Sequence, residues 1–164
     1  MKIENMMKNR EILEKAYNLY IKKKLILKAN SDLSEAHTAK SNNNMEFVSF
    51  LLENSKFFDW CIVGLYYSVY HASLALLSKK GFSSKNHNAT ICFLIRNFSE
   101  LSKDEIEFID ELAINKEDIE FYYGLKEERR KASYSTMLFF NEEKIKELRE
   151  KSILLINKIK NIIK

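Results

Sequence analysis

The sequence predicts an all-α protein: a four-helix bundle with one or two extra short helices and an added N-terminal helix. Three observations point there. The 164 residues contain no proline and only Gly64, Gly81 and Gly124, so interior helix breakers are almost absent. Asn-Gly and Asp-Gly, the dipeptides that close tight β-hairpins, do not occur. Apolar residues recur at helical spacing along most of the chain, whose length suits one domain with a real core.

Taken in order, residues 5–29 place Met6, Ile12, Leu13, Ala16, Leu19, Tyr20 and Leu27 near one helical face, which Lys22-Lys23-Lys24 interrupts. Residues 1–30 therefore read as an N-terminal helical extension, and 31–164 as the bundle. Asn30-Ser31-Asp32 breaks the first helix, and Ser31 or Ser34 can cap a second that runs to about Asn54. Within it Ser41-Asn42-Asn43-Asn44 is poor helix material and marks a bend or a wet face. Phe57–Lys80 is the centre. From Trp60 to Ser78 there is no Asp, Glu, Lys or Arg, and apolar residues wrap all round the helix, which predicts burial on every side. The length also suits a membrane span, but Tyr66, Tyr67, Ser68, Tyr70, His71 and Ser73 crowd its middle, where lipid makes polar groups costly. Gly81 after Lys79-Lys80 is a C-cap signal. A helix with Ile91, Leu94, Ile95 and Phe98 follows. Ser102-Lys103-Asp104-Glu105 fits a capping box that opens a short helix with Ile106, Ile109 and Leu112 inside. Asn115-Lys116-Glu117-Asp118 reads as another helix start, continuing past Tyr122, Leu125, Arg129 and Ala132. Asn141-Glu142-Glu143 opens the last helix, whose stripe is Ile145, Leu148, Ile153, Leu155, Ile156, Ile159 and Ile163.

The net charge of +4 hides a segregation. Residues 1–30 carry eight bases and three acids, 99–128 eleven acids and three bases, and 129–164 ten bases and four acids. Solvated helical faces produce such a pattern, as does self-association of acidic with basic faces. Cys61 and Cys92 are two lone cysteines in apolar surroundings, read as buried free thiols rather than a disulfide framework or zinc site. Met1-Lys2-Ile3-Glu4-Asn5 is followed by no apolar run, so no signal peptide is expected, and the expected location is cytoplasmic. His-Glu-x-x-His, a phosphate-loop glycine motif and Cys-x-x-Cys are all missing, so no metal and no cofactor are expected.

Three pieces of the sequence carry a family resemblance. Leu65-Tyr66-Tyr67-Ser68-Val69-Tyr70-His71-Ala72-Ser73-Leu74-Ala75-Leu76-Leu77 leads into Lys80-Gly81, Lys85-Asn86-His87 opens the next helix, and Arg129, Ala132 and Tyr134 spell Arg-x-x-Ala-x-Tyr. In this order, over roughly residues 33–164, they resemble the small prokaryotic HEPN proteins, which are often encoded with a minimal nucleotidyltransferase in toxin–antitoxin pairs. The resemblance implies a HEPN-type bundle, a homodimer, a nucleotidyltransferase partner protein and a nucleotide or RNA ligand. Nuclease members carry a histidine where this chain has Tyr134. Metal-independent RNA cleavage needs such an imidazole to move protons at the ribose 2′-OH and an arginine to hold phosphate charge. A phenol, with its pKa near 10, is a poor base at neutral pH.

The first reading is therefore a non-catalytic binding and dimerisation module, with Arg129, Arg130, Lys131 and Tyr134 toward phosphate. The bland alternative pairs Arg129 with a carboxylate of the acidic segment and packs Tyr134 under the bundle. The second reading is a diverged ribonuclease using Arg129 and Tyr134 with His71 or His87 brought from another helix or protomer. The third is a purely structural oligomer. His71, one turn from Tyr67 on a buried helix, reads as a hydrogen-bonded core histidine. His87, near a helix start, suits a cap, a local hydrogen bond or an anion.

Overall fold

The computed structural model describes residues 3–30, 33–54, 57–122 and 141–164. They form α1 (Ile3–Lys8), α2 (Arg10–Lys22), β1 (Ile26–Lys28), α3 (Leu33–Glu53), α4 (Phe58–Lys79), β2 (Phe82–Ser84), α5 (His87–Asn97), α6 (Lys103–Tyr122) and α7 (Glu142–Ile163). The all-α expectation holds, with one addition: β1 and β2 pair antiparallel, Ile26 opposite Ser84 and Lys28 opposite Phe82. Local turn chemistry could not announce this pair, because the whole α3–α4 unit lies between its strands.

α4 is the axis of a helical bundle, packed by α3, α5, α6 and α7. It is long and apolar enough to cross a membrane by length and composition, and most of it is enclosed by these neighbours. Ile62, Leu65, Leu76 and Leu77 are wholly buried, with Phe93 and Leu94 of α5, Ile109 and Leu112 of α6, and Ile145, Leu148 and Ile159 of α7. The α3–α4 seam is built from small and hydroxyl residues, which lets the two backbones approach. Ser34 Oγ donates to the Ala75 carbonyl (3.1 Å) and Ser68 Oγ to the Ser41 carbonyl (2.8 Å). At Gly64 the approach is tight: a Cβ there would stand 2.6 Å from Val48 Cγ2.

The N-terminal extension is two helices and a strand rather than one helix. Asn9 separates the helices and caps α2, its Oδ1 accepting from the amides of Glu11 and Ile12. Met6, Leu13 and Ala16 close over Cys92 of α5. Arg96 fastens the same joint, donating Nε–H to Glu14 and lying 4.2 Å over the Tyr17 ring. Gly81 takes the left-handed backbone (φ 78°) that turns α4 into β2, as its position predicts. Lys24 (φ 55°) and Phe57 (φ 57°) adopt that conformation without being glycine.

The capping box at α6 forms as expected: Glu105 accepts from the Ser102 amide (2.7 Å) and Ser102 Oγ from the Glu105 amide (3.3 Å). The expected second start at Asn115 does not occur. α6 runs unbroken through it, because Leu112 and Ala113 bury the turn before it and leave no reason to cap again. Asn141 caps α7, accepting from the Lys144 amide at 2.8 Å.

Candidate functional site

The histidines and tyrosines of the sequence signature gather around α4, on two sides of it. On the side facing α5 and α6, Tyr66 and Tyr70, one turn apart, stack with ring centres 5.5 Å apart and planes 12° apart. Tyr67 meets Tyr66 edge-on at 5.1 Å. Lys116 of α6 places its ammonium 5.2 Å from the Tyr66 ring centre and 5.3 Å from that of Tyr67. Tyr66 is buried while Tyr67 and Tyr70 are half-buried, so the cluster is a core edge rather than an open stacking platform. Burial pushes the Tyr70 phenol upward, against a hydrogen bond it shares with Thr90.

His87 begins α5 beside these rings, 5.8 Å from Tyr66 and 6.3 Å from Tyr70 between centres. The cap itself is Asn86, whose Oδ1 accepts from the Ala89 amide at 2.9 Å, so His87 is free of that duty. Its Nε2 lies 3.3 Å from Asp110 Oδ1 on α6. Burial drives the imidazole below its ordinary range, outweighing the upward pull of Asp110 and Glu117, while Lys116 adds to the lowering. A neutral ring facing an acceptor-only carboxylate carries its proton on Nε2, which leaves Nδ1 as an acceptor. Nδ1 is enclosed and has no hydrogen-bond partner among the described residues.

On the side facing α3, His71 meets His37. Their Nδ1 atoms are 3.1 Å apart and their ring centres 5.3 Å apart, with planes 27° apart. That centre separation is close to the largest a 3.1 Å nitrogen contact allows, so the rings meet nitrogen to nitrogen rather than face to face. One ring donates and the other accepts. Two cations could not share this contact, and both pKa values are lowered. His71 falls to about 4, through burial first and then the His37 and Lys40 charges; His37 is lowered by burial and Lys40.

His71 and His87 are thus each committed to a different partner, with Tyr70 touching both rings. His71 is half-buried, with its hydrogen bond to His37. Arg129, Arg130, Lys131 and Tyr134 lie outside the described residues. His37, Asp110 and Lys116 were not singled out by the sequence. Nothing local marks them, since they reach α4 and His87 only through the packing of α3 and α6. Among the described residues no three His, Cys, Asp or Glu side chains gather as a metal site. Cys61 and Cys92 are free and buried, their thiols pushed up to about 11 and about 12.

No model of a known protein family matches the chain, and a search of curated proteins returns no match.

Proposed function

We propose that the chain is a non-catalytic binding module: a HEPN-type four-helix bundle that dimerises, engages a nucleotidyltransferase-type partner and takes the phosphate of a nucleotide or RNA at Arg129, Arg130, Lys131 and Tyr134. One observation carries the non-catalytic half. Neither signature histidine is arranged to move protons for an external substrate. His71 spends Nδ1 on His37, and its pKa, lowered to about 4, keeps the ring uncharged at neutral pH. His87 spends Nε2 on Asp110 and keeps Nδ1 walled from solvent. A proton shuttle at neutral pH needs a near-neutral group within hydrogen-bond reach of the substrate. The binding half rests on the sequence resemblance.

The test is a cleavage and binding assay on purified protein without metal. Cleavage is expected to stay at background, since losing acid–base help removes roughly 10²–10⁴-fold in rate. Binding of RNA is expected to weaken with salt and in an Arg129→Ala/Arg130→Ala variant, because phosphate contacts release counterions. Tyr134→His recreates the arginine-to-histidine spacing and is expected to gain cleavage.

The diverged-ribonuclease reading keeps one observation of its own: Asp110 orients the His87 imidazole as a carboxylate orients a general base. Wild-type cleavage that disappears in His87→Asn would establish that reading in place of the first.

A further inference from the structure

We infer that the outer face of α6, with the grooves on its two flanks, is a docking surface for a cationic amphipathic helix of another protein. This surface meets the tyrosine and histidine cluster at Asp110, which pairs with His87 and also borders the second groove, but it does not rest on the function proposed above.

α6 and α7 run antiparallel against α4, tied at one end where Lys158 Nζ meets Glu105 Oε2 at 2.7 Å. Beyond that tie they part, leaving a groove of about 670 Å³. Buried Phe108 and Leu155 form its floor, and Leu154 stands in it 71% exposed, the most exposed large apolar side chain among the described residues. On the other flank of α6 a second groove of about 410 Å³ holds Ile3 and Ile114, the latter 55% exposed. Glu107 and Glu111 line both grooves, Asp104 borders the first, and Glu4 and Asp110 border the second. The lining includes one base, Lys151, which makes an exposed ion pair with Glu147 at 2.7 Å and also feels the Glu111 charge. Among the described residues Glu107 makes an exposed ion pair one turn away, with Lys103 at 3.3 Å, a kind of pair that holds its partners weakly.

An apolar seam with a carboxylate ridge through it selects its occupant by charge. Nucleic acid and anionic lipid are repelled by the ridge. A helix with leucine-like anchors on one face and Lys or Arg beside them matches both features: anchors enter the grooves while cations straddle Glu107 and Glu111. Among the described residues, the chain's own base-rich helices do not supply that face. α2 buries Leu13 and Ala16 over α5, and α7 buries Ile145, Leu148 and Ile159 on α4. On this complementarity of charge and shape the occupant is assigned to a second protein.

The probe is a dye-labelled leucine–lysine peptide of about five helical turns, roughly 18 residues, with its leucines on one face. Its control has the same composition, scrambled so that no face forms. Anisotropy titration against the full chain is expected to show salt-sensitive binding at least tenfold tighter than the scrambled peptide. Glu107→Lys/Glu111→Lys is expected to lose at least tenfold, and Leu154→Ser, a surface change that leaves the core intact, several-fold, with circular dichroism unchanged. Equal binding of the scrambled peptide would reduce the surface to unspecific charge and overturn the inference. So would full affinity in either variant. Sedimentation showing that the same variants abolish self-association would reassign the surface to a second copy and overturn the choice of occupant.

Discussion

Gly64→Ala tests the tight approach of α3 to α4. In an exposed helix interior this change gains about 1 kcal/mol from helix propensity. Here the new methyl would stand 2.6 Å from Val48 Cγ2, 3.4 Å from Phe47 Cδ1 and 3.7 Å from the Asn44 carbonyl oxygen. Val48 is fully buried, and a β-branched side chain in a helix has one strongly preferred rotamer, so it cannot swing aside. The helices must part instead, and overpacking of that sort costs about 1–3 kcal/mol. The net expectation is a loss of about 1 kcal/mol. With m near 2 kcal/mol per molar, that moves a urea midpoint down by about 0.5 M. Val48→Ala removes the obstructing methyls and by itself costs about 2 kcal/mol, two methyl groups and a cavity. In that background Gly64→Ala should reverse sign and stabilise by about 1 kcal/mol. Unfolding followed by Trp60 fluorescence reads all four proteins. Effects that add within about 0.5 kcal/mol, or a Gly64→Ala single variant more stable than wild type, would refute the close-packed seam.

Leu65→Ala, at a wholly buried α4 position, should cost about 2–5 kcal/mol in the same assay; a midpoint within error of wild type would contradict the central burial of α4. Phe57 is 64% exposed with φ 57°, so Phe57→Gly should stabilise by about 1 kcal/mol, and a loss would mean that the ring contributes more than its backbone costs. His71 binds its proton more weakly in the folded protein than an ordinary imidazole does. The unfolded chain therefore takes up more protons between about pH 6.5 and about pH 4, and stability should be full above that window and fall as pH drops through it. His71→Gln should flatten that slope, and an unchanged slope would rule out the pair as its source. Asp110 raises the His87 pKa, so Asp110→Asn should lower the His87 midpoint seen by imidazole NMR; an upward move would show that their contact is not as described.

Where a signal is local, the sequence announces it. Gly81 after paired lysines, Asn141 before paired glutamates and Ser102 three residues before Glu105 each fix a helix end by chemistry within one turn, and each end is found where expected. The charge-free run of α4 likewise carries its own burial. What the sequence hides is non-local. β1 and β2 are three-residue strands whose pairing depends on helices between them. The polar run Asn115-Lys116-Glu117-Asp118 has the chemistry of a helix start, yet α6 passes through it without a break. The site divides the same way: Tyr66, Tyr67, Tyr70, His71 and His87 could be named from one stretch, while His37, Asp110 and Lys116 join them only after α3 and α6 dock.

The two-stranded ladder also sets an order of events in time. α3 and α4 meet through a short connection and can associate as soon as both are made. β1 cannot find β2 until that hairpin stands between them, and closing the enclosed loop grows costlier only slowly with its length. Residues 3–28 are therefore expected to settle late and release early, as a clasp laid over a bundle already standing. In native-state hydrogen exchange the amides of α2 and β1 should open at lower free energy than those of α4, and Cys92, stoppered by Leu13 and Ala16, should react with a thiol reagent at the rate of that opening rather than of global unfolding.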